Sequence, residues 1–143
     1  MVYGENTTLF EVFTPIRASC RWRTITGFLH SLFHFAMTHV VTESCIKCKY
    51  TDCVDVCPVD CFKEGPNMLI IDPDECIDCA VCIPECPVNA IYADVDLPQD
   101  QLRFVEINAE MSKTCPTLSE RKEHLPDADD WKDVKDKFQH LER

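Results

Sequence analysis

Hydrophobic residues along this chain come in short packets separated by polar and proline-marked stretches. Val40-Val41, Met68-Leu69-Ile70-Ile71 and Ala90-Ile91-Tyr92 have strand length and a β-branched or aromatic bias, and they predict strands. Gly65-Pro66-Asn67 predicts a turn just ahead of the second of these. From Pro98 to Met111 the apolar spacing becomes helical, with Leu102, Val105 and Ala109 as the predicted inward face. The C-terminal stretch is charged and interrupted by proline. There Trp131, Val134, Phe138 and Leu141 recur at roughly helical spacing, which suggests a tail laid over the preceding domain. The longest apolar stretch, Ile25 to Ala36, falls short of the ~20 residues a membrane helix needs and is broken by His30 and His34.

The middle of the chain repeats itself. Val40-Val41-Thr42-Glu43-Ser44-Cys45-Ile46 resembles Ile70-Ile71-Asp72-Pro73-Asp74-Glu75-Cys76-Ile77, and Cys57-Pro58-Val59-Asp60-Cys61-Phe62 resembles Cys86-Pro87-Val88-Asn89-Ala90-Ile91. Each half predicts a strand, a loop, a short helix beginning near Cys-Pro and a returning strand, proline being suited to the first helical turn. The fold class that follows is α+β, built as a pseudo-two-fold βαβ repeat with a helical or irregular C-terminal tail.

Nine of the eleven cysteines lie between Cys45 and Cys86, in two runs that each close on Cys-Pro. The second run, Cys76-x2-Cys79-x2-Cys82-x3-Cys86-Pro87, has the regular bacterial iron–sulfur spacing. The first, Cys45-x2-Cys48-x4-Cys53-x3-Cys57-Pro58, is the same run with two extra residues. Short gaps let a tight loop aim several thiolates and backbone N–H groups at one inorganic core. Crowding at ligand spacing favours metal over a secreted disulfide scaffold, and hence a reducing, cytoplasmic setting. A zinc-binding module also uses Cys-x-x-Cys pairs, but two Cys-Pro endings on nine clustered cysteines disfavour it. Where two such runs occur, the fourth cysteine of each ligates the other cluster. Cys76, Cys79 and Cys82 with Cys57 therefore form a four-iron ligand set. The other cluster takes Cys86 and cysteines of the expanded run, whose spacing leaves open whether Cys48 reaches the iron. If it does, the protein carries eight irons.

From Met37 to Arg143 the sequence resembles the seven-iron bacterial ferredoxins of the ferredoxin I type. The resemblance rests on Cys45 through Cys53, Cys57-Pro58-Val59-Asp60-Cys61-Phe62, Asp74-Glu75-Cys76-Ile77-Asp78-Cys79-Ala80, and the ending from Leu125-Pro126-Asp127-Ala128 to Arg143. It implies a ferredoxin-like fold holding one [3Fe-4S] cluster on Cys45, Cys53 and Cys86, and one [4Fe-4S] cluster on Cys57, Cys76, Cys79 and Cys82. It also implies that Cys48 and Cys61 are free thiols, the latter close to the four-iron cluster. By internal symmetry Cys61 stands where Ala90 does, a position that faces packing rather than iron. The same resemblance associates Asp52 with protonation during three-iron reduction, where a proton would offset added negative charge. Cys115 reads as a neutral replacement for an aromatic residue.

The formal charge of −11 is uneven: residues 1–36 carry three basic and two acidic residues, leaving −12 for the remainder. Such a surface repels nucleic acid and anionic lipid and attracts basic protein patches. No phosphate-cradling glycine loop or catalytic base is visible. The sequence therefore predicts a monomeric electron carrier rather than an enzyme, docking on redox proteins such as a ferredoxin reductase, without membrane insertion. An iron- or redox-sensing regulator is the alternative. The expected organisation is an N-terminal extension over 1–36, translated from upstream of Met37 or disordered, a two-cluster domain over 37–95, and a C-terminal wrapping extension over 96–143.

Overall fold

Two small antiparallel sheets frame the computed structural model, which describes residues 37–143. The expectation for residues 1–36 lies outside the described residues. In one sheet β1 (His39–Val41) pairs with β4 (Ile91–Ala93), Val40 facing Tyr92. In the other, β2 (Phe62–Glu64) and β3 (Leu69–Ile71) form a hairpin with Lys63 opposite Ile70. The hairpin turn holds Gly65 where a side chain cannot fit. A Cβ there would stand 2.6 Å from Ile70 Cδ1 and 2.8 Å from the Met68 carbonyl.

The strand over β3 agrees with the hydrophobic pattern, but its partner β2 is invisible to it because Lys63 and Glu64 look solvent-facing. The structure supplies the reason. Lys63 is 5% exposed, and its ammonium lies 2.7 Å from Glu75 Oε2, 2.9 Å from Thr117 Oγ1 and 3.5 Å from Asp72 Oδ2. A long polar side chain can thus occupy a core strand position when its head group is fully partnered. Beyond the hairpin, residues 116–118 extend the β2 edge through Glu64 N to Pro116 O and Leu118 N to Phe62 O, both 2.8 Å.

Helical structure is sparser than the repeat predicts. A single turn, α1 (Asp52–Asp55), lies before Cys57-Pro58 rather than beginning at it, and the equivalent stretch around Cys86-Pro87 contains only turns. The chain cannot continue as a helix past either Cys-Pro, since Asp60 (φ 51°) and Asn89 (φ 48°) enter the left-handed region three residues after the cysteine. The longest helix is α2 (Arg103–Met111), preceded by a 3-10 turn at Gln99–Gln101. Its buried face is Phe104, Ile107, Asn108 and Met111, whereas Leu102 and Val105 are exposed. The predicted face is therefore corrected: spacing i, i+3, i+4, i+7 from Phe104 carries the larger apolar area, and Asn108 completes it.

Asn108 joins the two sheets. Its Oδ1 accepts from the N–H of Val41 (3.2 Å) and of Ile71 (2.9 Å), while Nδ2 donates to the carbonyls of Val41 (2.9 Å) and Phe104 (2.7 Å). Apart from the Phe104 carbonyl of α2 itself, these are backbone groups of β1 and β3, two strands that do not pair with each other. Around them Val40, Val41, Ile46, Phe62, Leu69, Ile71 and Phe104 form a continuous apolar core.

The C-terminal segment packs on the first cysteine loop. It contains α3 (Ala128–Trp131) and a 3-10 turn at Lys137–His140. Phe138 meets Phe104 edge-on at 6.0 Å and lies 4.2 Å under the Arg103 guanidinium. Asn67 Nδ2 donates to the His140 carbonyl at 2.7 Å. Of the helical-spaced residues in the tail, Phe138 and Leu141 pack on the core, while Val134 is exposed.

Asn108→Ala removes the partners of two N–H groups and a carbonyl. At roughly 1–3 kcal/mol per buried unpaired group, the variant should lose about 3 kcal/mol or more in urea unfolding followed by far-ultraviolet circular dichroism. A loss below about 1 kcal/mol would remove Asn108 as the joint between the sheets.

Candidate metal centre

A loop that aims several thiols inward must reverse direction within a few residues. Each cysteine run does so with left-handed residues at matching places. Lys47 (φ 65°) and Asp78 (φ 56°) follow the first cysteine of their runs by two, and Lys49 (φ 48°) and Ala80 (φ 60°) by four. None of these is glycine, and such conformations persist only where surrounding structure holds them. What they accomplish is to turn backbone N–H groups toward sulfur, a concave arrangement suited to negative charge. The Cys45 sulfur interacts with the backbone N–H of Lys49 and accepts from Leu69 N at 3.4 Å; Cys76 receives backbone hydrogen bonds from His39 and Asp78. Ala90 N donates to Cys86 Sγ at 3.2 Å.

Eight of the nine clustered thiols thus gather around two cavities, with Cys48 the exception. Cys45, Cys53 and Cys86 line one small cavity with Tyr50, Val41, Leu69, Val88, Ala90 and Ile91. Cys57, Cys76, Cys79 and Cys82 line the other, where Cys61 and His39 join them. All described cysteines are free thiols. Cys61 does not simply face packing, as its symmetry with Ala90 suggests: its sulfur lies 3.4 Å from Cys57 Sγ on the cavity wall. Cys48 is completely buried and lies outside both linings, with its sulfur 3.3 Å from Lys137 Nζ and 3.5 Å from the Ala128 carbonyl.

Burial dominates the thiol acidities. Desolvation pushes the Cys45 and Cys82 thiols up to about 12 and raises Cys53 as well. Cys76 is held down at about 4, chiefly by a hydrogen bond from the Cys61 thiol, which is itself raised as the donor. Buried sulfurs of this kind ionise together only beside compensating positive charge. The donor set fits an iron–sulfur core: soft thiols on aliphatic walls, with backbone N–H groups directed at sulfur. Among the described residues, no three His, Cys, Asp or Glu side chains converge on a single metal ion.

The apolar residues between the cysteines divide unevenly. Ile46 and Val54 are buried, whereas Val56, Ile77, Val81 and Ile83 are exposed. Buried apolar cover between the cysteines is therefore provided by Ile46 and Val54 of the first run. Over that run lies the C-terminal segment: Tyr50 Oη donates to Asp129 Oδ1 at 2.6 Å, Lys47 pairs with Glu142 at 3.0 Å, and Asp52 Oδ1 sits 2.7 Å from Arg121 Nη2. Asp52 is partly exposed, in a polar surface hollow with Tyr50, Lys122 and His124. Sequence reasoning missed Lys63, Asn108 and Lys137. Their one signal is position, a polar residue set among apolar ones, which spacing alone does not separate from solvent-facing polarity.

Comparison with known proteins supplies the decisive observation. Residues 69–92 match the model of a 4Fe-4S binding domain, and residues 102–143 match a domain of unknown function (DUF3470). A ferredoxin of Rickettsia felis is 51% identical over 106 residues, covering 71% of this chain and 93% of that protein. The chain belongs to the ferredoxin family. Ferredoxin-1 of Caulobacter vibrioides is 48% identical over 103 residues, covering 72% of this chain and 90% of the relative. This ferredoxin is accordingly an iron–sulfur electron-transfer protein, with Cys76, Cys79, Cys82 and Cys86 inside the matched 4Fe-4S segment. Among its described residues, no helix is long and apolar enough to cross a membrane.

Proposed function

We propose that this ferredoxin is of the seven-iron type and passes single electrons between redox proteins. Cys45, Cys53 and Cys86 would hold a [3Fe-4S] cluster, and Cys57, Cys76, Cys79 and Cys82 a [4Fe-4S] cluster. The observation that carries this reading is the partition of the thiols: three around one cavity, four and the spare Cys61 around the other, with Cys48 withdrawn. Matching left-handed positions in both runs support the pseudo-two-fold repeat. Each cluster would supply a one-electron couple with little ligand rearrangement. The chain's part is to bind sulfur, direct N–H groups at it and exclude water.

The two cavities differ in access, and this supports a direction for docking. Ile46 is fully buried and Ile77, its counterpart, is 59% exposed; Cys48 is buried and Cys79 exposed. Ile77, Val81 and Ile83 are exposed apolar residues of the second loop, which also carries Asp78 and Glu85 and follows Asp74. A partner with a basic rim around an apolar centre fits that loop, so electrons would enter and leave through the second cluster. Cytoplasmic placement and a monomeric state follow from the same reading of a reduced, acidic carrier. Asp52, adjacent to Cys53, is the group we assign to proton uptake on reduction of the first cluster; its Arg121 partner holds the carboxylate in place.

Protein isolated without oxygen should be brown, with seven irons per chain and the EPR signal of an oxidised three-iron cluster; eight irons without that signal would replace this reading with an eight-iron one. Reduction by a basic partner reductase should slow as salt rises, and Glu85→Lys should slow it severalfold at low salt. Rates indifferent to both would move the docking site elsewhere. Asp52→Asn should leave the iron content intact and slow proton-coupled reduction in voltammetry, and unchanged proton-transfer kinetics would release Asp52 from that role.

A further inference from the structure

Lys137 is the most deeply buried charged side chain among the described residues, 1% exposed, and it belongs to the C-terminal segment rather than to either cysteine run. Its ammonium donates to the Ser44 carbonyl at 2.8 Å and to Cys48 Sγ at 3.3 Å. No carboxylate among the described residues pairs with it. A buried ammonium demands strong acceptors, and here one acceptor is the sulfur of a cysteine that occupies a ligand position by sequence. The second cysteine of the other run, Cys79, lines its cavity. Cys48 does not, although it stands near enough to interact electrostatically with both Cys45 and Cys86. The Ala128 carbonyl, also from the C-terminal segment, engages the same sulfur. Two groups of one segment therefore hold Cys48 back from a cavity that lies close by. Asp136, immediately before Lys137, adopts a left-handed conformation (φ 56°) where the 3-10 turn begins. That turn is anchored by Phe138 against α2, which fixes where the Lys137 side chain enters.

We infer that Lys137 is a positioning residue that fixes the iron number of the first cluster by holding the Cys48 sulfur away from it. The C-terminal segment is then more than a cover: without its lysine, the first site becomes competent to bind a fourth iron. The inference rests on the seven-iron reading above. The conversion balances without an unnamed reagent. An added one-electron reductant brings the oxidised [3Fe-4S]+ cluster to [3Fe-4S]0, and one added Fe2+ then binds its open face to give [4Fe-4S]2+. The Cys48 thiol releases its proton to solvent and forms one Fe–S bond.

The test compares full-length holoprotein, purified without oxygen, as wild type, Lys137→Met, Lys137→Arg and the double variant Lys137→Met/Cys48→Ala. Each is incubated with dithionite and Fe2+, desalted and mildly reoxidised, and its iron per chain and EPR are measured. Lys137→Met should gain one iron and lose most of the three-iron signal. Wild type and Lys137→Arg, which keeps a cationic donor, should retain seven irons and the signal. The double variant should also stay at seven, because the incoming iron lacks its thiolate. Lys137→Gln, which keeps a donor without charge, serves if Lys137→Met does not accumulate, and should convert faster than wild type. Seven irons retained in Lys137→Met and Lys137→Gln would overturn the inference while leaving the seven-iron reading intact. Conversion of the double variant to the same extent would also overturn it, since Cys48 would then be irrelevant. Eight irons in untreated wild type would instead sink the seven-iron reading, and the inference with it.

Discussion

Burying many sulfur atoms in two small apolar cavities is the constraint from which the rest of this structure follows. A thiol removed from water resists ionisation, as the raised values for Cys45 and Cys82 express, and a cluster ligand must be ionised. In the proposed clusters iron would supply the missing positive charge, and the chain supplies partial positive charge through its amides. The left-handed residues Lys47, Lys49, Asp78 and Ala80 are the conformational cost of bringing those amides round. Secondary structure is accordingly minimal. Strands of three residues hold the bases of the loops, and the only α-helix within them among the described residues is the single turn α1.

Polar side chains do the joining that short strands cannot. Four hydrogen bonds from Asn108 tie β1, β3 and α2 together, and Lys63 ties β2 to Glu75 and Thr117. Both residues are buried, and both are satisfied. In a domain with little apolar area to spare, a fully partnered amide or ammonium can close a gap that a larger hydrophobic core would fill.

The same local design is placed in two different environments. Around the first run the C-terminal segment brings Tyr50, Lys47, Asp52 and Cys48 into contact with Asp129, Glu142, Arg121 and Lys137. Around the second run nothing comparable packs among the described residues, and Ile77, Val81 and Ile83 meet solvent. A carrier benefits from such inequality. One cavity sits behind the C-terminal segment, and the other lies beside the exposed residues of its loop.

Cysteine spacing, by itself, grouped the thiols of each loop, since a few residues of loop permit only a few convergences, and it left the place of Cys48 open. The repeat and the apolar packets likewise marked β1, β3 and β4, because a strand needs only a short run of suitable side chains. What spacing could not resolve was the part that depends on residues distant in the chain. Phe62-Lys63-Glu64 is a strand because Glu75 and Thr117 receive its lysine. The inward face of α2 runs through Phe104 and Asn108 because β1 and β3 leave unpaired backbone groups there. Cys48 lies outside its neighbouring cavity in the company of Lys137, a residue 89 positions away. Local pattern encodes what one loop can reach; only the folded chain brings in the partners that decide what it does reach.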